Sequence, residues 1–416
     1  MFSFLRYRPL PRSLIREYDR TRPKNSRRYI CHAPFNSLRL TQSGKATVCC
    51  FNAEHTLGSY PSDTLMDIWF GKKAEKLRTY LKHNDLGLGC FHCQHQLVNR
   101  EFGGVKARMY DHLPLNNHEY PEQMEFELHN TCNLECVMCN AQNSSSIRKN
   151  RDGLPPWQSP YDDEFVDQLD DFIPYLHQAG FIGGEPFLID IYYRIWERIA
   201  ELNPQVNLHV TTNGTILNDK VKNALDRGKF SFSISLESIR PETYGQIRVN
   251  GNCDKLLSNI EFFIDYCRSR DTDIQIWVCP IRQNWKEIPE IIEYFNKRDV
   301  VVNLHTVWFP PFLTLWNLTS QQLNQILKEF RDLSLPDGTP VEKQNKAGFD
   351  EFVLQINAWA EQAEKRELIQ TTTEQVEQLQ TQFLNSLRNH VIQGTDRNTE
   401  NKKSRWERYE HKAEYW

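Results

Sequence analysis

MEFELHNTCNLECVMCN (Met124–Asn140) joins two signals in one short run. MEFEL alternates apolar and acidic residues and reads as a strand. Directly behind it come Cys132, Cys136 and Cys139, so the thiols fall on the loop at that strand's C-terminal end. A three-residue gap followed by a two-residue gap lets one loop present three thiols to one polynuclear group. A zinc site would want two CxxC knuckles or nearby His ligands; His129 is close but lies at the strand end. An iron–sulfur cluster held by three cysteines leaves one iron open to another ligand.

The strand opens a repeating series. DEFVDQLDDFIPYL reads as a helix, GFIGGEP as a short strand and loop, DIYYRIWERIAEL as a helix and VNLHVTTNG as a strand. NDKVKNALDRG, CDKLLSNIEFFIDYCRSR and WKEIPEIIEYFNKR follow as helices, alternating with the strands FSFSISLES, DIQIWVCP and VVNLHTVWF. Six strands with five intervening helices predict an α/β fold, a parallel sheet with helices outside it. Six units fall short of the eight of a closed barrel, so a partial (β/α)6 barrel is expected over residues 120–310, with chemistry at the C-terminal strand ends.

Those strand ends carry polar motifs in order. GGEP (Gly183–Pro186) ends the second strand, TTNG (Thr211–Gly214) the third and SISLES (Ser233–Ser238) the fourth, with IRVNG (Ile247–Gly251) beyond it. CxxxCxxC after the first strand, followed by these motifs, resembles the radical S-adenosylmethionine (SAM) superfamily. The resemblance implies that the amino and carboxylate groups of SAM complete the ligation of the open iron. It implies that Glu185, with Gly183 and Gly184, holds the SAM amino group, since glycines let backbone acceptors approach an ammonium closely. Thr212 and Asn213 would form the polar turn, and Ser235 and Glu237 would meet the ribose hydroxyls or the amino group. Glu237 stands where the family often has aspartate. Arg248 would meet the SAM carboxylate. Met138, where the family often has an aromatic, would lie beside adenine as a polarizable contact.

A second cysteine set precedes the barrel. SLRLTQSGKATVCC reads as a hairpin turning at Ser43–Gly44, and SDTLMDIWFGKKAEKLRTYL as one amphipathic helix capped by Ser62 or Asp63. Cys31, Cys49, Cys90 and Cys93 are distributed around them, with four residues between Gly44 and Cys49 and a closing CFHC. Four thiols close a cluster completely. The pattern resembles the twitch form of the SPASM auxiliary-cluster domains of radical SAM enzymes, here over residues 29–100. Family members more often carry it after the barrel. The resemblance implies an auxiliary 4Fe–4S cluster on these four residues, two clusters in all. A four-cysteine zinc knuckle is the rival, with His92 and His95 as ligands only in that reading. Cys50 competes with Cys49 for one position; the glycine spacing favours Cys49. Cys267 reads as a core residue, and Cys279 ends the fifth barrel strand.

The chain has 416 residues and a formal charge of -4, so no global basic field asks for nucleic acid. Eight of its eleven cysteines lie in the first 139 residues, which suggests metal or redox chemistry in a reducing compartment. No apolar run of about 18 residues suits a bilayer, and the N-terminus lacks the features of a signal peptide; a cytoplasmic protein is expected. Residues 1–28 carry nine Lys/Arg and two acids and read as an irregular basic arm. Residues 311–416 read as a helical extension with a polar tail, residues 349–363 and 374–391 being amphipathic.

The resemblance implies reductive cleavage of SAM to a 5′-deoxyadenosyl radical, hydrogen abstraction from a substrate, and net oxidation through the auxiliary cluster. The implied partners are a small-molecule or peptide substrate and an external electron donor such as flavodoxin or ferredoxin. Modification of a peptide or protein, by cross-link or epimerisation, is the alternative within the class. A non-catalytic metal-binding scaffold is the alternative outside it.

Overall fold

The computed structural model describes residues 8–113, 115 and 120–368. One nine-stranded sheet organises them. Its strands are β1 (Ser37–Leu40), β2 (Lys45–Thr47), β3 (Gly58–Ser59), β4 (Gln123–Phe126), β5 (Gln178–Phe181), β6 (Asn207–Thr212), β7 (Lys229–Ser235), β8 (Ile274–Val278) and β9 (Val301–Leu304). Their order is β3-β2-β1-β4-β5-β6-β7-β8-β9, and β4 to β9 are all parallel.

Alternation decides which face each residue takes. In β7, Phe230, Phe232 and Ile234 are buried against the helices, while Ser231 and Ser233 bond the imidazole of His209 from the neighbouring strand. The same period sends Leu208, Val210, Ile276 and Val278 into the apolar layer. The inner face is therefore polar. Helices Asp190–Leu202, Asp219–Arg227, Cys253–Arg270 and Ile288–Asn296 cross between successive strands and bury their apolar stripes.

The cysteine-bearing unit is continuous with this sheet. β1 and β2 form the expected hairpin, antiparallel with Arg39 opposite Thr47, and Gly44 takes φ +82° at the turn. β1 also pairs with β4 in parallel, Arg39 opposite Glu125. Arg39 then bridges Glu125, at 2.5 Å, and Glu127 on the inner face. The two units thus share backbone hydrogen bonds and one guanidinium.

Three local expectations need correction. The helix expected over residues 62–81 is two, Leu65–Phe70 and Lys72–Lys82, broken at Gly71; Thr64, not Ser62 or Asp63, closes a capping box with Asp67. Asp163–Gln168 is helical, but Pro174 helps to confine the rest of that segment to single tight turns. Residues 12–20 of the arm are a helix, Arg12–Arg20, whose scattered apolar residues share one face and bury Leu14 and Tyr18. Arg22 beyond it makes a buried pair with Asp111.

After β9 the chain forms helices Ser320–Arg331 and Pro340–Leu368. Asn345 of the latter covers the sheet edge: its Oδ1 accepts from Val302 N at 2.8 Å and its Nδ2 donates to Val300 O at 3.1 Å. The amphipathic stretch 374–391 lies outside the described residues. Among the described residues no helix is long and apolar enough to cross a membrane.

Candidate functional site

The loop behind β4 is held from both sides. Ser145 Oγ accepts from Cys132 N at 3.0 Å, Ser146 Oγ donates to Cys132 O at 2.7 Å, and Ser144 Oγ donates to Leu134 O at 2.7 Å. Arg151 Nη2 reaches Cys139 O at 2.7 Å, and buried Asn130 spans the loop to Ala141 O at 3.1 Å. Glu135 N and Val137 N pair with Val249 O and Ile247 O, so IRVNG runs alongside the cysteines. The Ser144–Ser146 triplet, Asn130 and Arg151 escaped the sequence reading. A serine run directly after a cysteine loop is a usable signal for such side chain-to-backbone bonds.

GGEP packs against the start of the same loop. A Cβ on Gly183, at φ +122°, would lie 2.7 Å from His129 O, and one on Gly184 would strike the Thr131 carbonyl. Only glycine permits that approach. Glu185 is fully buried, and its oxygens accept from Thr212 Oγ1 at 2.7 Å, Asn213 N at 2.7 Å and Phe187 N at 3.2 Å. Burial raises its pKa while these donors oppose the rise. Glu185 therefore ties the tip of β5 to the tip of β6, with most of its acceptor capacity used. Asn213 Nδ2 donates to Asn133 Oδ1 at 3.0 Å and lies 3.9 Å from Cys132 Sγ. Glu185, Thr212, Asn213 and the cysteine loop form one connected polar group.

A second group lies beyond β7. Glu237 is 1 % exposed; Arg248 Nη2 pairs with its Oε1 at 2.6 Å and Cys279 N donates to its Oε2 at 2.7 Å. The two Glu237 oxygens thus serve the arginine and the backbone. Burial opposes the Arg248 charge, but the neighbouring Cys136 and Glu237 outweigh it and hold the guanidinium protonated. Arg248 Nε stays buried without an acceptor among the described residues. Asn284 supports the group by donating to Glu237 O at 2.8 Å and Cys279 O at 3.1 Å. Met138 and Cys279 border an apolar patch of Ile247, Ile281, Val307 and Leu313. Ser235 ends β7, half-buried.

The upstream cysteines converge. Cys31, Cys49, Cys90 and Cys93 line one cavity with Asn52, Phe51, His92, Lys106 and Tyr110. Burial pushes the Cys49 and Cys90 thiols up to about 12 and raises those of Cys31 and Cys93. Cys50 is exposed and outside that lining. His92 lines the cavity, stacked on Phe51, whereas His95 bonds Asn99. Cys267 is buried on its helix, and so is Cys253.

Both cysteine sets suit a polynuclear cluster. Among the described residues no three His, Cys, Asp or Glu side chains are placed to hold a single metal ion. Zinc, at about 2.3 Å from each thiolate, would draw its sulfurs together; irons at the corners of a cube hold them further apart. Buried thiols with raised pKa values need such cationic irons to ionise. The orphaned Arg248 Nε beside Cys136 suits a carboxylate.

Comparison with known proteins agrees with this reading. The Radical SAM superfamily profile matches residues 126–295, and that of the SPASM iron–sulfur cluster-binding domain matches residues 31–94. GTP 3′,8-cyclase of Limosilactobacillus fermentum is 29% identical over 199 residues, 47% of this chain and 55% of the relative. A probable GTP 3′,8-cyclase of Methanocaldococcus jannaschii is 24% identical over 188 residues, 45% of this chain and 59% of the relative. The chain thus spans little more than half the length of these relatives. Among solved structures, native anSMEcpe with bound AdoMet aligns at a TM-score of 0.38 and 17% identity, over 50% of this chain and 59% of that one. Streptococcus suis SuiB aligns at 0.36 and 16%, over 64% and 57%. Iron–sulfur clusters of the 4Fe–4S type and SAM are the cofactors of the two matched domains. Residues 126–295 therefore carry a radical SAM superfamily domain, with an iron–sulfur cluster-binding domain set ahead of it at residues 31–94.

Proposed function

We propose that this chain is a radical SAM enzyme that oxidises its substrate, with the auxiliary cluster as electron acceptor. The observation that carries the proposal is the contrast between the two sites: three thiols on a strand-end loop beside an unpaired Arg248 Nε, and four thiols around one cavity. When bound, the open cluster and SAM supply a 5′-deoxyadenosyl radical that takes a hydrogen atom from the substrate. Cys132, Cys136 and Cys139 hold three irons of that cluster. Arg248 receives the SAM carboxylate through its free Nε while Glu237 fixes the guanidinium plane. The backbone at Gly183 and Gly184, braced by Glu185, Thr212 and Asn213, offers carbonyls to the amino group. Met138 borders the apolar patch that takes adenine, and Ser235 remains for the ribose.

Cys31, Cys49, Cys90 and Cys93 ligate the auxiliary cluster completely, which favours electron transfer over substrate binding. An external donor such as flavodoxin or ferredoxin supplies the starting electron. No substrate is taken from the GTP cyclases, because the match stops well short of their full length.

The test is anaerobic reconstitution, iron determination and reduction in the presence of SAM. About eight irons per chain and 5′-deoxyadenosine above background are expected. Absence of 5′-deoxyadenosine from a cluster-loaded chain would overturn the catalytic reading. Zinc at the upstream site would overturn the electron-transfer role.

A further inference from the structure

Residues 1–28 carry nine Lys/Arg and two acids in a chain whose formal charge is -4, so positive charge is concentrated in the arm. Helix Arg12–Arg20 sorts that charge. Leu14 and Tyr18 are buried four residues apart, while Arg12, Arg16 and Arg20, at the same spacing, stand exposed on the opposite face. Their row is about 12 Å long. Lys24, Arg27 and Arg28 extend the exposed charge beyond the helix. None of these six cations has a carboxylate partner among the described residues. The acids of the arm are taken: Glu17 pairs with Arg100 at 2.8 Å and Asp19 with Arg22 at 3.3 Å.

This charge sits on the unit that gathers the upstream cysteines. The Glu17–Arg100 pair, and the Tyr18 and Phe102 rings at 6.0 Å, tie the arm to helix Phe91–Val98 and the turn behind it. Arg108 Nη2 adds a bond to Thr21 O at 3.2 Å. Cys93 lies on that helix, Cys90 stands at its N-cap, and Cys31 follows Arg28 by three residues. Phe91, between Cys90 and Cys93, is 49 % exposed, so the CFHC knuckle reaches the surface. Strand direction separates this unit from the SAM loop. Cys31 precedes β1 and Cys49 follows the antiparallel β2, so both lie at the N-terminal end of the parallel strands β1 and β4. Cys132, Cys136 and Cys139 follow the C-terminal end of β4.

We propose that the arginine row of the arm docks an acidic one-electron carrier protein, which takes away the electron that each oxidation leaves at the upstream site. This rests on the proposed function and adds a partner and its surface. The substrate gives up a hydrogen atom at one site and an electron at the other, with a proton passing to solvent. The oxidised carrier accepts that one electron and leaves reduced, so the upstream site is free for the next turnover. Exposed unpaired cations of one sign steer a partner of the opposite sign. Residues 369–416 carry seven acids and seven bases, so that segment lacks the net negative charge to match the row. A nucleic acid would meet the same cations. As a substrate it would be held at the end of the strands away from the SAM loop, where chemistry in such folds does not sit.

Calorimetric titration of oxidised flavodoxin, an acidic carrier, into the full-length, cluster-loaded, oxidised chain tests this, with basic cytochrome c and a duplex RNA as comparison probes. Saturable flavodoxin binding is expected, about tenfold weaker at about 300 mM than at about 50 mM salt. Cytochrome c should not bind. Arg12→Glu, Arg16→Glu and Arg20→Glu combined should weaken flavodoxin binding about tenfold or more, and Lys at the same three positions should keep most of it. If the Glu variant loses iron, Gln at the three positions carries the test. With Cys132, Cys136 and Cys139 all changed to Ala, the pre-reduced chain should still convert flavodoxin to its semiquinone, and the Glu variant should do so more slowly. No saturable flavodoxin binding, binding unchanged in the Glu variant, or duplex RNA bound more tightly than flavodoxin overturns the proposal. Formation of 5′-deoxyadenosine with dithionite as reductant needs no carrier and reports separately on catalysis. Flavodoxin binding without it supports this surface and counts against the catalytic reading.

Discussion

Asn52 Nδ2 donates to Cys90 Sγ at 3.3 Å and to Leu88 O at 2.9 Å, so one buried amide holds both the thiol and the turn that presents it. Its Oδ1 accepts from His55 N at 3.2 Å, and Gly89, at φ +77°, leaves room for the amide where a Cβ would collide with it. Hydrogen bonds to ligand sulfurs favour the reduced, more negative state of a cluster.

With Cys90 as a ligand, Asn52→Leu should lower the midpoint potential of the auxiliary cluster. A differential of about 1 kcal/mol between redox states corresponds to about 40 mV at 59 mV per tenfold change. Potentiometric titration followed by electron paramagnetic resonance checks the shift. An unchanged potential with a full iron complement would remove Asn52 from that role.

Adjacent cysteines should differ sharply. Cys49 lines the cavity and Cys50 does not. Cys49→Ala should fall from about eight to about four irons per chain, and Cys50→Ala should keep about eight. Iron and sulfide assays of the reconstituted variants decide it, and equal losses would leave the assignment of Cys49 unsupported.

Arg248→Met removes the counterion of a carboxylate that is 1 % exposed. Stranding Glu237 should cost about 3–5 kcal/mol of stability. Arg248→Met combined with Glu237→Gln should recover much of that loss, since no buried charge remains. Chemical denaturation of the apo-proteins measures both. Equal destabilisation of the single and double variants would show that the pair contributes through packing alone.

His209 sits between Ser231 Oγ and Ser233 Oγ, each at 2.9 Å, and burial lowers its pKa below the usual 6.5. A histidine held neutral binds fewer protons folded than unfolded. Its contribution to stability is therefore complete above about pH 6.5 and is lost as pH falls below it. His209→Gln should flatten that part of the stability profile between pH 7 and pH 5. Thermal melts of both apo-proteins across this window give the comparison; parallel profiles would place the proton uptake elsewhere.

Much of the barrel is legible in the sequence because its signals are local. FSFSISLES reads as a strand, and in the structure its period of two buries Phe230 and Phe232 and turns Ser231 and Ser233 to His209. Glycine at 183 and 184 reads as room for the backbone to approach an ammonium; what the structure shows at these positions is close packing against the carbonyls of His129 and Thr131. The motif around Glu237 names a carboxylate without naming the arginine that faces it, and only the structure shows that Arg248 pairs with it. Asn52 gives no sequence signal: it matters through the thiol and carbonyl it meets far along the chain.

Cysteine spacing, β/α alternation and the order of the strand-end motifs were all settled by the residues in a row, because covalent reach and side-chain period act over a few positions. Three relations needed the folded chain: β1 joins β4 in parallel, Cys49 rather than Cys50 lines the cavity, and Arg248 pairs with Glu237. Those relations bring together residues that no short-range pattern links, in the last case across the helix Pro241–Ile247. Packing selects among the partners that local chemistry leaves equally eligible.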